Sequence, residues 1–191
     1  MEEIRTKIEE MKLKLENMRF SANVYRNGED SGVIIMYEPS RTMTIYGLRP
    51  ELPQVLRFEN ESIYGSSEGS YTVEFYEEKP RVIIEKEIKW KELDLMSGLQ
   101  VFWLLDPRRL LHSMEDITTI VMDERGLHYF SGKCHIKHLN FPADIEKWFV
   151  QQNQTIRVVH FYFAGEKLSR LTQTDLPPLR DNVMLVFSYY D

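Results

Sequence analysis

Cys134, His135 and His138, with His128 shortly before them, are the residues whose types and spacing best suit chemistry. A thiol and three imidazoles are enough for a zinc centre, or for a cysteine activated by a neighbouring imidazole. A tetrahedral site needs converging ligands, and neither CxxC nor HExxH is present to fix even two of them. If residues 133–139 continue as a strand, Cys134 and His138 point to one face and His135 to the other. The expectation is therefore ordinary half-buried strand residues, with no metal, no cofactor and no catalytic group. The acidic pairs Glu77-Glu78 and Asp123-Glu124 fall at turns, where solvation accounts for them without acid–base work. Gly65-Ser66-Ser67-Glu68-Gly69-Ser70 lacks the lysine of a P-loop and precedes a strand rather than a helix. The chain reads as noncatalytic.

The elements that would position such residues begin with a helix over 1–19. Ile4, Ile8, Met11, Leu15 and Met18 recur at alternating steps of four and three, the spacing of a coiled-coil seam. With Ile8 and Leu15 at a, the e and g positions hold Arg5, Lys7, Lys12, Lys14 and Arg19, all cationic. Like-charge repulsion across a parallel self-dimer then argues for a different partner, one with an acidic-rimmed helix or acidic groove. Packing back onto its own domain is the equally weighted alternative, because the stripe spans fewer than the roughly three to four heptads of a firm coiled coil. Glu3 with Lys7 and Glu10 with Lys14 have the spacing of supporting pairs under either reading.

Composition narrows the function classes. The chain has 191 residues, 42% of them apolar, enough for one well-buried domain behind the helix. A net charge of −6 argues against broad electrostatic capture of nucleic acid. The single cysteine excludes a disulfide framework and fits a reducing compartment. The N-terminus is charged from its second residue, and the longest apolar-leaning run, 99–105, is far too short to span a bilayer. An intracellular protein, with no role in a membrane, is the expectation.

From residue 20 the period changes from seven to two. Asn27-Gly28 joins two strands as a hairpin, and short strands are predicted over 42–46, 54–60, 71–76 and 81–88. Asp106-Pro107 reads as an N-cap with proline at N1, opening a helix to about 114, and Pro142 opens a second to about 152. Between them lies a hairpin, 117–122 and 127–130, with 133–139 as a possible third strand. Strands over 155–163 and 183–190 follow, with Leu176-Pro177-Pro178-Leu179 extended between them. The fold class is α+β: an amphipathic or coiled-coil helix at 1–19, then a strand-rich, mainly antiparallel head over 20–191 with two short helices. Any division of the head falls near 97–106.

Aromatic residues supply the core. Ile145, Trp148 and Phe149 have the spacing of a buried helical stripe, whereas Phe161-Tyr162-Phe163 cannot all face one way on a strand. Covering of that strand on both sides by the helices is favoured over a face left for a partner. Lys86, Lys89 and Lys91 around Trp90 are diluted by Glu85, Glu87 and Glu92 and read as a solvated edge.

In residues 107–131 and 144–163 the order of helix, hairpin, helix and strand resembles half of a DNA sliding-clamp domain. That resemblance implies helices facing a duplex, with Arg108, Arg109 and Lys147 on phosphate, fewer cations than clamp helices carry. A coiled coil followed by a strand-rich head also looks like kinetochore RWD proteins and TRAF-type adaptors, an analogy of architecture alone. The functional expectation is a noncatalytic protein–protein interaction subunit or adaptor in a heteromeric assembly. A nucleic-acid-associated, clamp-related protein is the alternative, and a thiol- or metal-dependent enzyme the third class.

Overall fold

The computed structural model describes residues 2–39, 42–47, 55–59, 62–66, 86–88, 104–139, 141, 143–176 and 181–190, with the strands between 55 and 88 described as backbone. Strands β1 (Phe20–Arg26), β2 (Glu29–Glu38), β3 (Thr42–Tyr46), β4 (Val55–Glu59), β5 (Ser62–Ser66) and β6 (Lys86–Ile88) make one antiparallel meander. A second comprises β7 (Met114–Asp123), β8 (Gly126–His135), β9 (Ile156–Ala164), β10 (Lys167–Leu176) and β11 (Asp181–Tyr189). Antiparallel pairing of β1 with β11 joins them into one eleven-stranded sheet, in the order β6-β5-β4-β3-β2-β1-β11-β10-β9-β8-β7. Helices α1 (Glu2–Glu16), α2 (Pro107–His112) and α3 (Ala143–Gln151) run into β1, β7 and β9 respectively, and a 3₁₀ turn spans Ile136–His138. The fold is α+β, and the sheet continues across both halves of the chain. The strands expected over 71–76 and 81–85, the 97–103 boundary and the extended 177–180 segment lie outside the described residues.

Local sequence explains the turns and the inward face. Asn27 and Gly28 both have positive φ, 51° and 83°, the pairing of a tight hairpin whose twist matches its strands. Along β1, Phe20, Ala22 and Val24 are buried. They face Tyr37 and Ile35 of β2 and Phe187 and Leu185 of β11. Ile4, Ile8 and Leu15 of α1, Leu110 and Leu111 of α2 and Phe149 of α3 belong to this same core. All three helices therefore lie on one face of the sheet.

Two strands depart from simple alternation because they carry β-bulges. β7 has register shifts at three places, so its partly buried Met114, Ile117 and Ile120 recur every third residue rather than every second. In β10 a shift between Leu168 and Arg170 likewise separates the buried Leu168 and Leu171 by three. This explains why sequence periodicity did not mark 167–176 as a strand. The third strand expected over 133–139 does not exist: β8 continues unbroken to His135, and the chain then coils into the 3₁₀ turn. Gly132 faces inward on β8, where a Cβ would lie 2.4 Å from Met114 Sδ. The bulged edge strand fills the space a side chain would take.

The two meanders are also tied through the segment entering α2. Asp106 caps the helix, accepting from Arg108 N at 3.0 Å, and Pro107 follows at N1. The same carboxylate holds Arg108 Nε and Nη2, each at 3.0 Å, with both side chains fully buried. The guanidinium also donates to the Glu38 carbonyl from Nη1 and to the Thr42 carbonyl at 3.2 Å from Nη2, and it lies 5.6 Å from the Tyr37 ring centroid. Tyr37 Oη donates to the Leu105 carbonyl at 2.6 Å, and Gln173 Nε2 of β10 to the Leu104 carbonyl at 2.8 Å. Removing one member of such a pair strands a buried charge. Arg108→Ala should therefore lower stability by about 3–5 kcal/mol, read as a reduced urea midpoint with no comparable change in slope.

Candidate functional site

The apolar seam of α1 is turned inward. Ile4, Ile8 and Leu15 are 7%, 6% and 3% exposed, and Met11 and Met18 pack against the same core. Packing within the chain is thus the arrangement seen, with Ile4, Ile8 and Leu15 buried in the core and Met11 and Met18 partly buried against it. The rim behaves accordingly. Lys7 pairs with Glu3 at 3.7 Å, as its spacing predicts, Lys12 with Glu9 at 2.8 Å and Arg19 with Glu38 of β2 at 3.3 Å. Arg5 and Lys14 are exposed. Lys7 and Lys14, with Glu10 and Met11, line a groove of about 190 Å³ completed by Arg125, Leu127, Phe163 and Glu166. Its three cations and two carboxylates nearly balance, so it offers no strongly charged cradle.

The cations of the clamp resemblance are mostly unavailable. Arg108 is 1% exposed and occupied as described above; Arg109 is also buried, with Nε 3.9 Å from Asp106. Neither reaches a phosphate, because α2 turns both towards its own capping carboxylate. Only Lys147, on α3, is exposed.

The Cys134 and histidine group is redistributed rather than simply divided. Cys134 faces inward, fully buried, with its Sγ donating to the Leu110 carbonyl at 3.2 Å. Burial pushes its thiol up to about 12, with the Glu115 carboxylate adding to the rise, so it is no nucleophile at neutral pH. His128 lies by the turn of the β7–β8 hairpin, its Nε2 2.7 Å from Asp123, whose carboxyl it holds below the usual range. His135 and His138 do come together, contrary to the expectation from an extended strand. A 3₁₀ turn brings residues three apart into line, and both imidazoles reach the same carboxylate. His135 Nε2 lies 3.4 Å from Glu115 Oε2, and His138 Nε2 contacts Glu115 Oε1. Glu115 is the residue sequence reasoning missed. It sits about twenty positions upstream and reaches the pair because the bulge between Met114 and Asp116 leaves it the extra residue. No spacing rule signals that.

The other candidate is the sheet face opposite the helices. On β9, Arg157, Val159 and Phe161 point inward and are buried, while Ile156, Val158, His160 and Tyr162 point outward. Polarity alone would reverse part of that assignment. Ile156 and Val158 are 46% and 40% exposed, whereas Arg157 is 3% exposed, its Nη2 donating to the Thr174 carbonyl at 2.7 Å. The covering of both faces expected for Phe161-Tyr162-Phe163 is not found, because the three described helices share the inner face. Phe161 and Phe163 stack with Phe130, while Tyr162 lies outward beneath Arg170, 4.9 Å from its ring centroid, and beside Tyr129. Tyr129 Oη is 2.7 Å from His160 Nδ1, and the exposed Val121 stands opposite Tyr129 on β7. Together these form a surface of exposed aliphatic and half-buried aromatic side chains flanked by the exposed cations Lys133 and Arg170.

Two outcomes follow from these placements. Ile8→Asp buries a carboxylate in the core, so it should unfold or destabilise the whole chain by at least the roughly 2–5 kcal/mol of a core truncation, seen as loss of the thermal transition. Cys134 should react slowly with iodoacetamide in the folded protein and rapidly after denaturation, read by mass spectrometry. No family model, no curated protein and no solved structure matches this chain.

Proposed function

We propose that this protein is a noncatalytic interaction subunit that binds a protein partner through the outer face of its sheet, centred on Ile156 and Val158. The observation that carries this reading is the exposure of those two side chains together with Val121 on the face opposite the three helices of the described residues. Exposed aliphatic groups clustered on a regular sheet are a common mark of protein contact, and the ring planes of Tyr129 and Tyr162 extend the surface at low conformational cost. Lys133 and Arg170 beside it favour a partner whose apolar contact is rimmed by carboxylates. This keeps the acidic-partner expectation but moves it from α1 to the sheet. Catalysis draws no support from Cys134, which is buried and protonated at neutral pH.

The test is affinity purification with the wild-type full chain and with Ile156→Asp/Val158→Asp, coupled to crosslinking at Lys133 and a titration against duplex DNA at two salt concentrations. The double variant should melt close to wild type, since exposed substitutions usually change stability by only about 0.5 kcal/mol. A partner lost in the variant and crosslinked to Lys133 is the expected result. A partner retained by the variant, or duplex binding that collapses with added salt in place of protein capture, overturns it.

A further inference from the structure

We propose that Tyr129 and His160 form a proton-gated site for a carboxylate on the outer face of the sheet, one that takes the anion when the imidazole is charged. The inference rests on the reading of that face as a docking surface and names the partner group that the face receives. Strand register carries the geometry. On β9, His160 stands opposite Ser131 of β8 and Thr172 of β10. Two positions along β8 from Ser131 is Lys133, opposite Val158; two positions along β10 from Thr172 is Arg170, opposite Tyr162. The two steps run in opposite directions, so His160 occupies the middle of a diagonal between two exposed cations. Diagonal neighbours in a sheet lie roughly 7–8 Å apart, within reach of long side chains. The titratable and charged groups around the imidazole are thus Tyr129 and Lys133 on β8, Tyr162 on β9 and Arg170 on β10. β11 places the uncharged Met184 opposite Thr172, and on β7 Asp116 stands opposite Lys133 rather than beside His160.

Tyr129 Oη lies 2.7 Å from His160 Nδ1, with both side chains half-buried. Beside a neutral imidazole the phenol donates, Nδ1 accepts, and the ring hydrogen sits on Nε2. The phenolic oxygen then has only lone pairs to offer a carboxylate, which is itself an acceptor. When the imidazole gains a proton, Nδ1 carries a hydrogen of its own and must donate. Tyr129 Oη accepts it, and the phenolic hydrogen turns to solvent. One proton therefore adds a charge between Lys133 and Arg170 and converts the phenol from acceptor to donor. Both changes favour a carboxylate, since hydrogen bonds between charged groups are roughly twice as strong as neutral ones. Histidine is the side chain that changes charge between about pH 5 and 8, whereas carboxylates remain ionised above about pH 5. Affinity is accordingly highest at mildly acid pH and falls as pH rises through the imidazole range.

Sodium glutarate is the probe, titrated into the full chain at constant ionic strength and followed by amide and imidazole NMR. Saturable shifts at Tyr129, His160 and Arg170 are expected at about pH 6, with affinity about tenfold lower at about pH 7.5. Glutaramide, which has the same length without the charge, should produce none. His160→Gln should bind glutarate equally at both pH values, and as weakly as wild type does at the higher one. Tyr129→Phe keeps the imidazole charge but loses the phenolic donor, so it should weaken binding at the lower pH only. Thermal melts establish that each variant is folded, and His160→Asn supplies a second imidazole variant should His160→Gln not be. Absence of saturable shifts, equal affinity at the two pH values, or a pH dependence that persists without the imidazole overturns the proposal. Glutarate binds without a protein partner, so this result stands apart from success or failure of partner capture by the outer face.

Discussion

The buried contact between Asp106 and Arg108 is the constraint on which the architecture rests. A carboxylate and a guanidinium removed from water are costly unless nearly all their hydrogen-bonding capacity is used, and here it is. One oxygen of Asp106 also caps α2, so the start of that helix and the position of Arg108 are set together. Arg108 then reaches carbonyls on either side of the β2–β3 connection, while Tyr37 and Gln173 hold the preceding backbone from β2 and β10. Backbone groups that would lie unpaired between helix and sheet are satisfied by both meanders at once. The entry to α2 acts as a crosspiece on the inner face, complementing the β1–β11 pairing.

That crosspiece lies on the side where every described helix lies, and this asymmetry shapes the possibilities for function. The inner face is filled by aromatic and aliphatic packing from α1, α2 and α3. Among the described residues no helix lies on the outer face. Near β1 and β2 its side chains are half-buried Tyr25, Ile34 and Met36; near β8 and β9 they include the exposed Ile156 and Val158. The edge strand β7 is kept from acting as a flat pairing template by its three bulges. The surface we propose for a partner is accordingly a face rather than an edge, and one bulge also carries Glu115 towards the two histidines.

The N-terminal helix illustrates how one charge pattern serves two arrangements. An apolar seam with cationic flanks is what a heteromeric coiled coil requires, but a helix lying on a sheet also needs an apolar stripe and solvent-facing charges. Side chains of its own chain answer the flanks: Glu3 and Glu9 one turn away, and Glu38 across on β2. With Leu15 at 3% exposure, the seam completes the head rather than extending from it.

Short-range chemistry was legible from the chain alone. The α1 stripe, the Asn27-Gly28 turn, the Asp106-Pro107 helix start and most strands follow from propensity, capping and period, which act over a few residues. Features that depend on contacts across tens of residues were not legible. The strand at 167–176 was hidden because a bulge breaks its alternation, and β8 was cut short because its partner sets its length. Arg108 and Arg109 read as surface cations because nothing local discloses that Asp106 and two distant carbonyls enclose the first of them. The exposure of Ile156 and Val158 was not legible either, because an apolar side chain on a strand does not reveal which face has a helix over it. Sequence settled which elements form and where they begin, since those choices are made by neighbouring residues; the folded sheet decided which side of each element meets water, since that depends on what the rest of the chain brings to it.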